Sequence, residues 1–504
     1  MAHIPAPPVT EHSPPPGATP ATTTAATATG ATTTDVAVAG VAAAPGAAAP
    51  LGGQLSQGLK QRHLSMIALG GVIGAGLFVG SGAGIAAAGP AIILAFAFSG
   101  LLVMLIMRML GEMSAARPAS GSFSVHAEKE LGAWAGVTTG WTYWVMLCCG
   151  VAAEATAAGK IMNGWIPGVS AWVWVGVFMA FFCASNLTAV KNFGEFEFWF
   201  AAIKVSAIIA FLVLGTLGVT GVLGDGPPGT DNLTGQGGFL PNGTSGLIVG
   251  LLASVFAYGG LETVTIAAAE SADPRRNVAA AVRTAVWRIA LFYIGSMALV
   301  VTLVSWKDPA IVRDGPYVTV LQHLGVPGAG TIMEAVVLIA LLSAMNANIY
   351  GSSRMAYSLV ARGQGPRGLA KVSGGVPRLA VIASCGFGFA AVLAGRFWPD
   401  TVFTWLMNTT GVAILVVWFF ICVVQLRMRR RLEREAPGLL TVRMWGYPYL
   451  TWAALLAVLA ILGLMTTTEG NRQQLYAAGV LVVLLSLGGY AKQRRAARPA
   501  GGSS

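Results

Sequence analysis

Four ionisable residues sit inside long apolar runs of this sequence: Glu154, Lys160, Lys204 and Glu262. A charge at bilayer depth costs at least about 2.5 kcal/mol on insertion scales, so such residues face a cavity and mark substrate or ion pathways. Carboxylates and amines held there can exchange protons. Lys204 reads either as a proton carrier or as a fixed cation standing where a sodium ion would bind, and Glu154 is the competing proton carrier. Lys160 has a stem long enough to reach outward to the interface. Glu195 and Glu197, at the start of a run, are expected at the interface.

A second kind of chemistry needs backbone. The stretch from Ser65 to Phe78 is apolar yet holds Gly70, Gly71, Gly74 and Gly76. Glycine costs about 1 kcal/mol relative to alanine in a helix interior, and it lets the chain leave helical geometry. Within a membrane, unwound backbone persists only where protein or a water-filled cavity satisfies it. A matching stretch, Phe256-Ala257-Tyr258-Gly259-Gly260-Leu261-Glu262, lies in the other half. Two interrupted spans in corresponding positions point to a transporter's binding site, whereas either alone reads equally well as small-residue helix packing.

At the first break, a half-helix starting near Ile73, Gly74, Ala75 and Gly76 would offer free N–H groups to a carboxylate. At the second, carbonyls of Phe256, Ala257 and Tyr258, beside Gly259 and Glu262, would suit an ammonium group. Together these describe an amino acid. Tyr143, Phe256, Tyr258 and Asn346 are candidates for reading its side chain.

The elements that position these residues are long helices. Of 504 residues, 55% are hydrophobic and 10% charged, against roughly 25% charged in soluble domains. Runs of membrane-spanning length fall near 66–87, 91–112, 134–163, 169–189, 195–221, 246–268, 280–305, 328–353, 379–396, 401–424, 447–467 and 472–491. Twelve spans put both termini on one side. Only Lys307, Arg313, Arg396 and Arg472 then fall outside, while Lys60, Arg62, Arg427 to Arg431 and the Lys492 to Arg498 group fall inside, as the positive-inside rule requires with cytoplasmic termini. The net charge of +11 is thus a topology signal, not one for nucleic acid. Spans one to ten divide into two fives that enter from opposite sides, an inverted repeat with discontinuous helices 1 and 6. Spans eleven and twelve lie outside it and are expected at the periphery, in an oligomer or lipid contact.

Residues 1–57, rich in Ala, Thr and Pro, cannot build a core and are expected to form a disordered cytoplasmic tail; residues 496–504 form a second tail. The five cysteines lie in apolar runs with no metal spacing, so no metal or cofactor is expected. The Asn-x-Thr matches at Asn186, Asn232, Asn242 and Asn408 read as chance. Gly74-Ala75-Gly76 is not a dinucleotide loop, since Val79 stands where its third glycine belongs. No repeated filter sequence suggests a channel, and no nucleophile with a base suggests an enzyme.

Several motifs together resemble the amino acid permeases of the amino acid–polyamine–organocation superfamily, most closely the bacterial γ-aminobutyrate permeases. They are Gly70 to Phe78, Lys191 to Lys204, Glu262 to Ser271, Ser353-Arg354-Met355 and Arg443 to Pro448. The resemblance spans 58–495. It implies an all-α, LeuT-like fold of five plus five helices, alternating access and proton symport, with Lys204 in the place of a sodium site. Tyr258-Gly259-Gly260-Leu261 is also similar to permeases for aromatic and other neutral amino acids, so that substrate class stands as the alternative; a polyamine carrier is a remoter one. The expected partners are an amino acid, protons and the lipid bilayer, in a bacterial inner membrane, with the protein a monomer or weak homodimer.

Overall fold

A computed structural model of the chain describes residues 73–118, 122–188, 193–224, 227–262, 274–399, 401–467 and 469–497. The expected tail 1–57, Lys60, Arg62, Gly70, Gly71 and most of the Glu262 to Ser271 motif lie outside the described residues, as do 498–504 of the second tail.

The described residues are helical almost throughout. A π-helical turn, Gly76–Gly80, runs into α1 (Ser81–Ala88), and Gly89, at φ +61°, turns the chain through Pro90 into α2 (Ile92–Ala116). A short helix α3 (Ser122–Leu131) precedes α4 (Ala133–Trp165), α5 (Ala171–Thr188) and α6 (Phe193–Val219). Then come α7 (Gly243–Tyr258), α8 (Pro274–Arg288), α9 (Ser296–Leu303), α10 (Ala310–Arg313) and α11 (Pro316–His323). The chain continues with α12 (Ala329–Ala361), α13 (Arg378–Phe397), α14 (Val402–Glu435), α15 (Tyr449–Leu464) and α16 (Glu469–Ala497).

Among the described residues, ten stretches are long and apolar enough to cross a bilayer, and Gly243–Tyr258 is a shorter apolar helix. The first of the ten, Gly76–Ala116, includes the turn at Gly89. This is a multi-pass membrane protein. Its surface carries the apolar side chains that lipid requires, among them Leu94, Phe98 and Leu101 on α2 and Val480, Leu484 and Leu487 on α16.

Helix α4 is the central post, packed against α3, α12, α14 and α16. Helix α1 lies along α7, with backbone approaching backbone. A Cβ at Gly246 would stand 2.2 Å from the Ala87 carbonyl oxygen, and one at Gly250 would stand 2.7 Å from Ala88 Cβ. Small residues let membrane helices approach so closely, since lipid supplies no hydrophobic drive between them.

Helix α14 runs past the expected span 401–424 and stays helical to Glu435. Its charged extension is held by ion pairs: Arg429 to Glu112 and Glu433, and Arg431 to Glu130 on α3. Hydropathy marks the bilayer boundary, whereas these pairs mark the helix end. Glu197 departs from expectation too, being fully buried instead of interfacial.

Candidate functional site

Ile73 and Gly74 are not helical, and regular helix begins at Ala75. The Ala75 N–H, at the start of the helix, donates to both oxygens of Glu154, at 3.1 and 2.9 Å. A carboxylate at a helix start satisfies an orphan donor and opposes the positive end of the dipole. Gly74 makes room for it: a Cβ there would lie 2.3 Å from Glu154 Oε1 and 2.9 Å from Ala344 Cβ. On the other side of the break, the Ile73 carbonyl accepts from Lys204 Nζ at 3.4 Å.

Lys204 also stands 3.8 Å from Glu197 Oε1, and Glu197 accepts from the Ser343 hydroxyl at 3.0 and 2.8 Å. Glu197 and Lys204 are seven residues apart on α6, two helical turns on one face, and both are fully buried. The first break is therefore held by three buried ionisable side chains, Glu154, Lys204 and Glu197. Lys160, by contrast, is exposed.

At the second break α7 stops at Tyr258. Gly259 turns extended and donates its N–H to the Phe256 carbonyl at 3.0 Å; Gly260, at φ +95°, is a conformation glycine adopts without strain. Leu261 and Glu262 are helical again. Gly260 N–H donates to Glu262 Oε1 at 3.3 Å, while Glu262 Oε2 has no hydrogen-bond partner among the described residues. The Tyr143 hydroxyl interacts with that carboxyl electrostatically. The two breaks touch: a Cβ on Gly76 would lie 2.5 Å from Ala257 Cα.

Between them is a cavity of about 40 Å³. Gly76 and Phe256, Ala257, Gly259 and Gly260 form its broken-helix walls; Met146, Leu147, Gly150 and Glu154 come from α4, Asn348 from α12 and Thr410 from α14. Of the residues expected from sequence, Gly76, Phe256, Ala257, Gly259 and Glu154 thus meet around one space. Ile73, Gly74 and Ala75 form the break beside it, with Lys204 behind them. Tyr258 turns away, donating to the Phe96 carbonyl at 3.0 Å and stacking on Tyr293 with centroids 4.7 Å apart. Tyr143 sits edge-on to Phe123 of α3 at 4.8 Å, next to Glu262. Asn346 accepts from Asn186 Nδ2 at 2.7 Å and so faces α5.

Sequence reasoning passed over Met146, Leu147, Gly150, Asn348 and Thr410. The α4 residues carried a signal: steps of four back from Glu154 reach Gly150 and Met146, one face of one helix. Thr410 also stood out as part of a polar interruption, Asn408-Thr409-Thr410, within an apolar span.

A family described as amino acid permease matches residues 63–498. The gamma-aminobutyric acid permease of Bacillus subtilis is 44% identical over 436 residues, covering 86% of this chain and 93% of that protein. The aromatic amino acid transport protein AroP of Corynebacterium glutamicum is 44% identical over 440 residues, covering 86% and 95%. Among solved structures, a manganese transporter of Eremococcus coleocola superposes with a TM-score of 0.55 at 12% identity, over 86% of this chain and 93% of that one. At such identity the likeness speaks for the fold alone.

Proposed function

Because the chain belongs to the amino acid permease family, we propose that it is a secondary active transporter that takes up an amino acid, γ-aminobutyrate or a related compound, together with protons. The observation that carries the coupling is the hold on the first break: Glu154 on the Ala75 N–H, Lys204 on the Ile73 carbonyl and Glu197 beside Lys204. Fully ionised, these three side chains sum to one negative charge. An uncompensated charge in a dry interior costs several kcal/mol, so the set is balanced by one proton.

Substrate enters the same balance. A substrate carboxylate that takes the Ala75 N–H must displace Glu154, and a protonated Glu154 leaves more readily than an anion. Proton and amino acid are then favoured together, and the backbone on either side of the break shifts as Glu154 departs. Lys204 keeps the break tied to α6 and occupies space in which a metal cation would otherwise be needed. Which of Glu154 and Lys204 gives up the proton is decided by the variants below.

The proposed topology is twelve spans in a five-plus-five inverted repeat with two outer helices. Its support is the Gly89 turn within Gly76–Ala116 and the break that follows α7. Cytoplasmic termini are supported by the basic residues, and a bacterial inner membrane by the bacterial relatives. A neutral or aromatic α-amino acid is the second reading, favoured by the aromatic amino acid transport protein matching at the same identity.

The test is uptake into proteoliposomes. Accumulation is expected to follow an inward proton gradient and to be unchanged when choline replaces sodium; a strict sodium requirement overturns the coupling. Counterflow of labelled substrate against a gradient separates a carrier from a channel.

A further inference from the structure

We propose that Asn348, lying over Gly150, is the specificity residue of this site, and that it selects short amino acids bearing a hydrogen-bond donor at the end away from the carboxylate. This rests on the amino acid transport reading and adds to it the chemistry of the substrate's far end.

Three side chains bring polar atoms to the cavity: Glu154, Asn348 and Thr410. Two are committed. Glu154 is engaged with the Ala75 N–H, and the Thr410 hydroxyl donates to the Leu406 carbonyl at 2.8 Å, so only its lone pairs remain. The Asn348 amide makes no hydrogen bond among the described residues, although it is half-buried. Lining the cavity, that amide is open to a ligand or to water. Thr410 Oγ1 has only lone pairs to offer, and the Asn348 amide, whose Nδ2 lies nearest Gly150, also carries an acceptor in Oδ1, so a terminal ammonium or an amide N–H can bond to both.

Gly150 fixes where that amide lies. A Cβ there would stand 3.0 Å from Asn348 Nδ2, and no heavy atom outside Asn348 would come within 4 Å of it. Glycine at this position leaves a slot filled by the amide alone. The cavity has a volume of about 40 Å³, and it opens between the broken-helix residues and α4, α12 and α14. A short chain with a distal donor matches the polarity that Asn348 and Thr410 give it; an aromatic side chain does not.

The test compares two isomers, γ-aminobutyrate and 2-aminobutyrate, which differ in having or lacking the distal ammonium, with phenylalanine as a third ligand. Competition binding to purified protein is expected to favour γ-aminobutyrate over both. Asn348→Ala is expected to cut the ratio of γ-aminobutyrate to 2-aminobutyrate affinity about tenfold or more, as for one hydrogen bond to a charged group. A wild-type melting temperature and a monodisperse size-exclusion profile for that variant certify the fold. Gly150→Ala shifts the ratio in the same direction by pushing the amide, and Asn348→Ser restores part of it. An unchanged ratio in Asn348→Ala, or a wild-type preference for phenylalanine, overturns the proposal while leaving transport intact. Failure of the wild type to bind or carry any amino acid overturns the transport reading itself.

Discussion

The Glu154 carboxylate accepts the backbone N–H of Ala75 with both oxygens, so the helical segment that starts there carries its own anion at the amino end. This is the position where a substrate carboxylate was expected from sequence. The protein thus holds, in its own side chain, a competitor for the group it is proposed to bind.

Glu154→Gln keeps an acceptor for the Ala75 N–H and removes the ionisable group. Proton-driven accumulation is expected to disappear while counterflow persists, measured in proteoliposomes across pH. Glu154→Ala leaves the N–H without its partner, at a cost of about 1–3 kcal/mol, and is expected to lower the melting temperature as well. Undiminished accumulation by Glu154→Gln would assign the coupled proton elsewhere.

Lys204→Ala leaves Glu197 buried without its cation, and breaking a buried pair from one side costs about 3–5 kcal/mol. Loss of accumulation alone therefore does not separate coupling from packing. The double variant Lys204→Ala with Glu197→Gln removes both charges and is expected to recover thermal stability and counterflow without accumulation. Lys204→Arg is expected to fail at accumulation, since guanidinium stays charged. Accumulation by the arginine variant would remove Lys204 as proton carrier.

Gly74→Val and Gly76→Val are expected to abolish substrate binding in protein that still inserts, for two different reasons. At Gly74 the new Cβ meets the Glu154 carboxylate at 2.3 Å; at Gly76 it meets Ala257 backbone at 2.5 Å. Glu154→Ala should therefore partly rescue Gly74→Val but not Gly76→Val, as read by ligand binding on size-exclusion-checked protein.

His126 makes the short helix α3 sensitive to acid. It is buried, and burial pushes its imidazole down from 6.5 to about 4, with Lys129 and Arg117 adding to the shift. Between those two values the unfolded chain binds a proton that the folded chain refuses, so stability falls as pH drops from 6.5 to 4. The full loss is about 3 kcal/mol. Melting curves of the wild type should fall more steeply over that range than those of His126→Gln; parallel curves would show that α3 does not feel the proton.

The helical, membrane-spanning character was plain in the sequence because twenty apolar residues in a row have few other uses. The turn at Gly259 and Gly260 was plain as well, since paired glycines and a carboxylate are costly in a span; of the first expected break the described residues hold only Ile73 and Gly74, non-helical before Ala75. Glu197 was misplaced because it lies near the end of its run, although its spacing to Lys204 marks a shared face. Tyr258 and Asn346 illustrate a harder limit. A polar residue on a membrane helix announces that it needs a partner but not which neighbour supplies it, and here the partners are Phe96 and Asn186, distant in sequence. Asn348, two positions from Asn346, faces the cavity for the same geometric reason that Asn346 does not. Helix α3 was unread because ten residues of mixed polarity resemble any loop until Phe123 and His126 are seen buried.

The contact of Gly76 with Ala257 has a mechanical consequence. With no side chain between them, the two interrupted helices mesh like gear teeth without backlash. On the proposed mechanism, a push from Glu154 or Lys204 on the first break would be handed to the Ala257 backbone at the second. In the proposed transport cycle the pair would act as one joint, gripping or releasing a ligand at its two ends in a single movement.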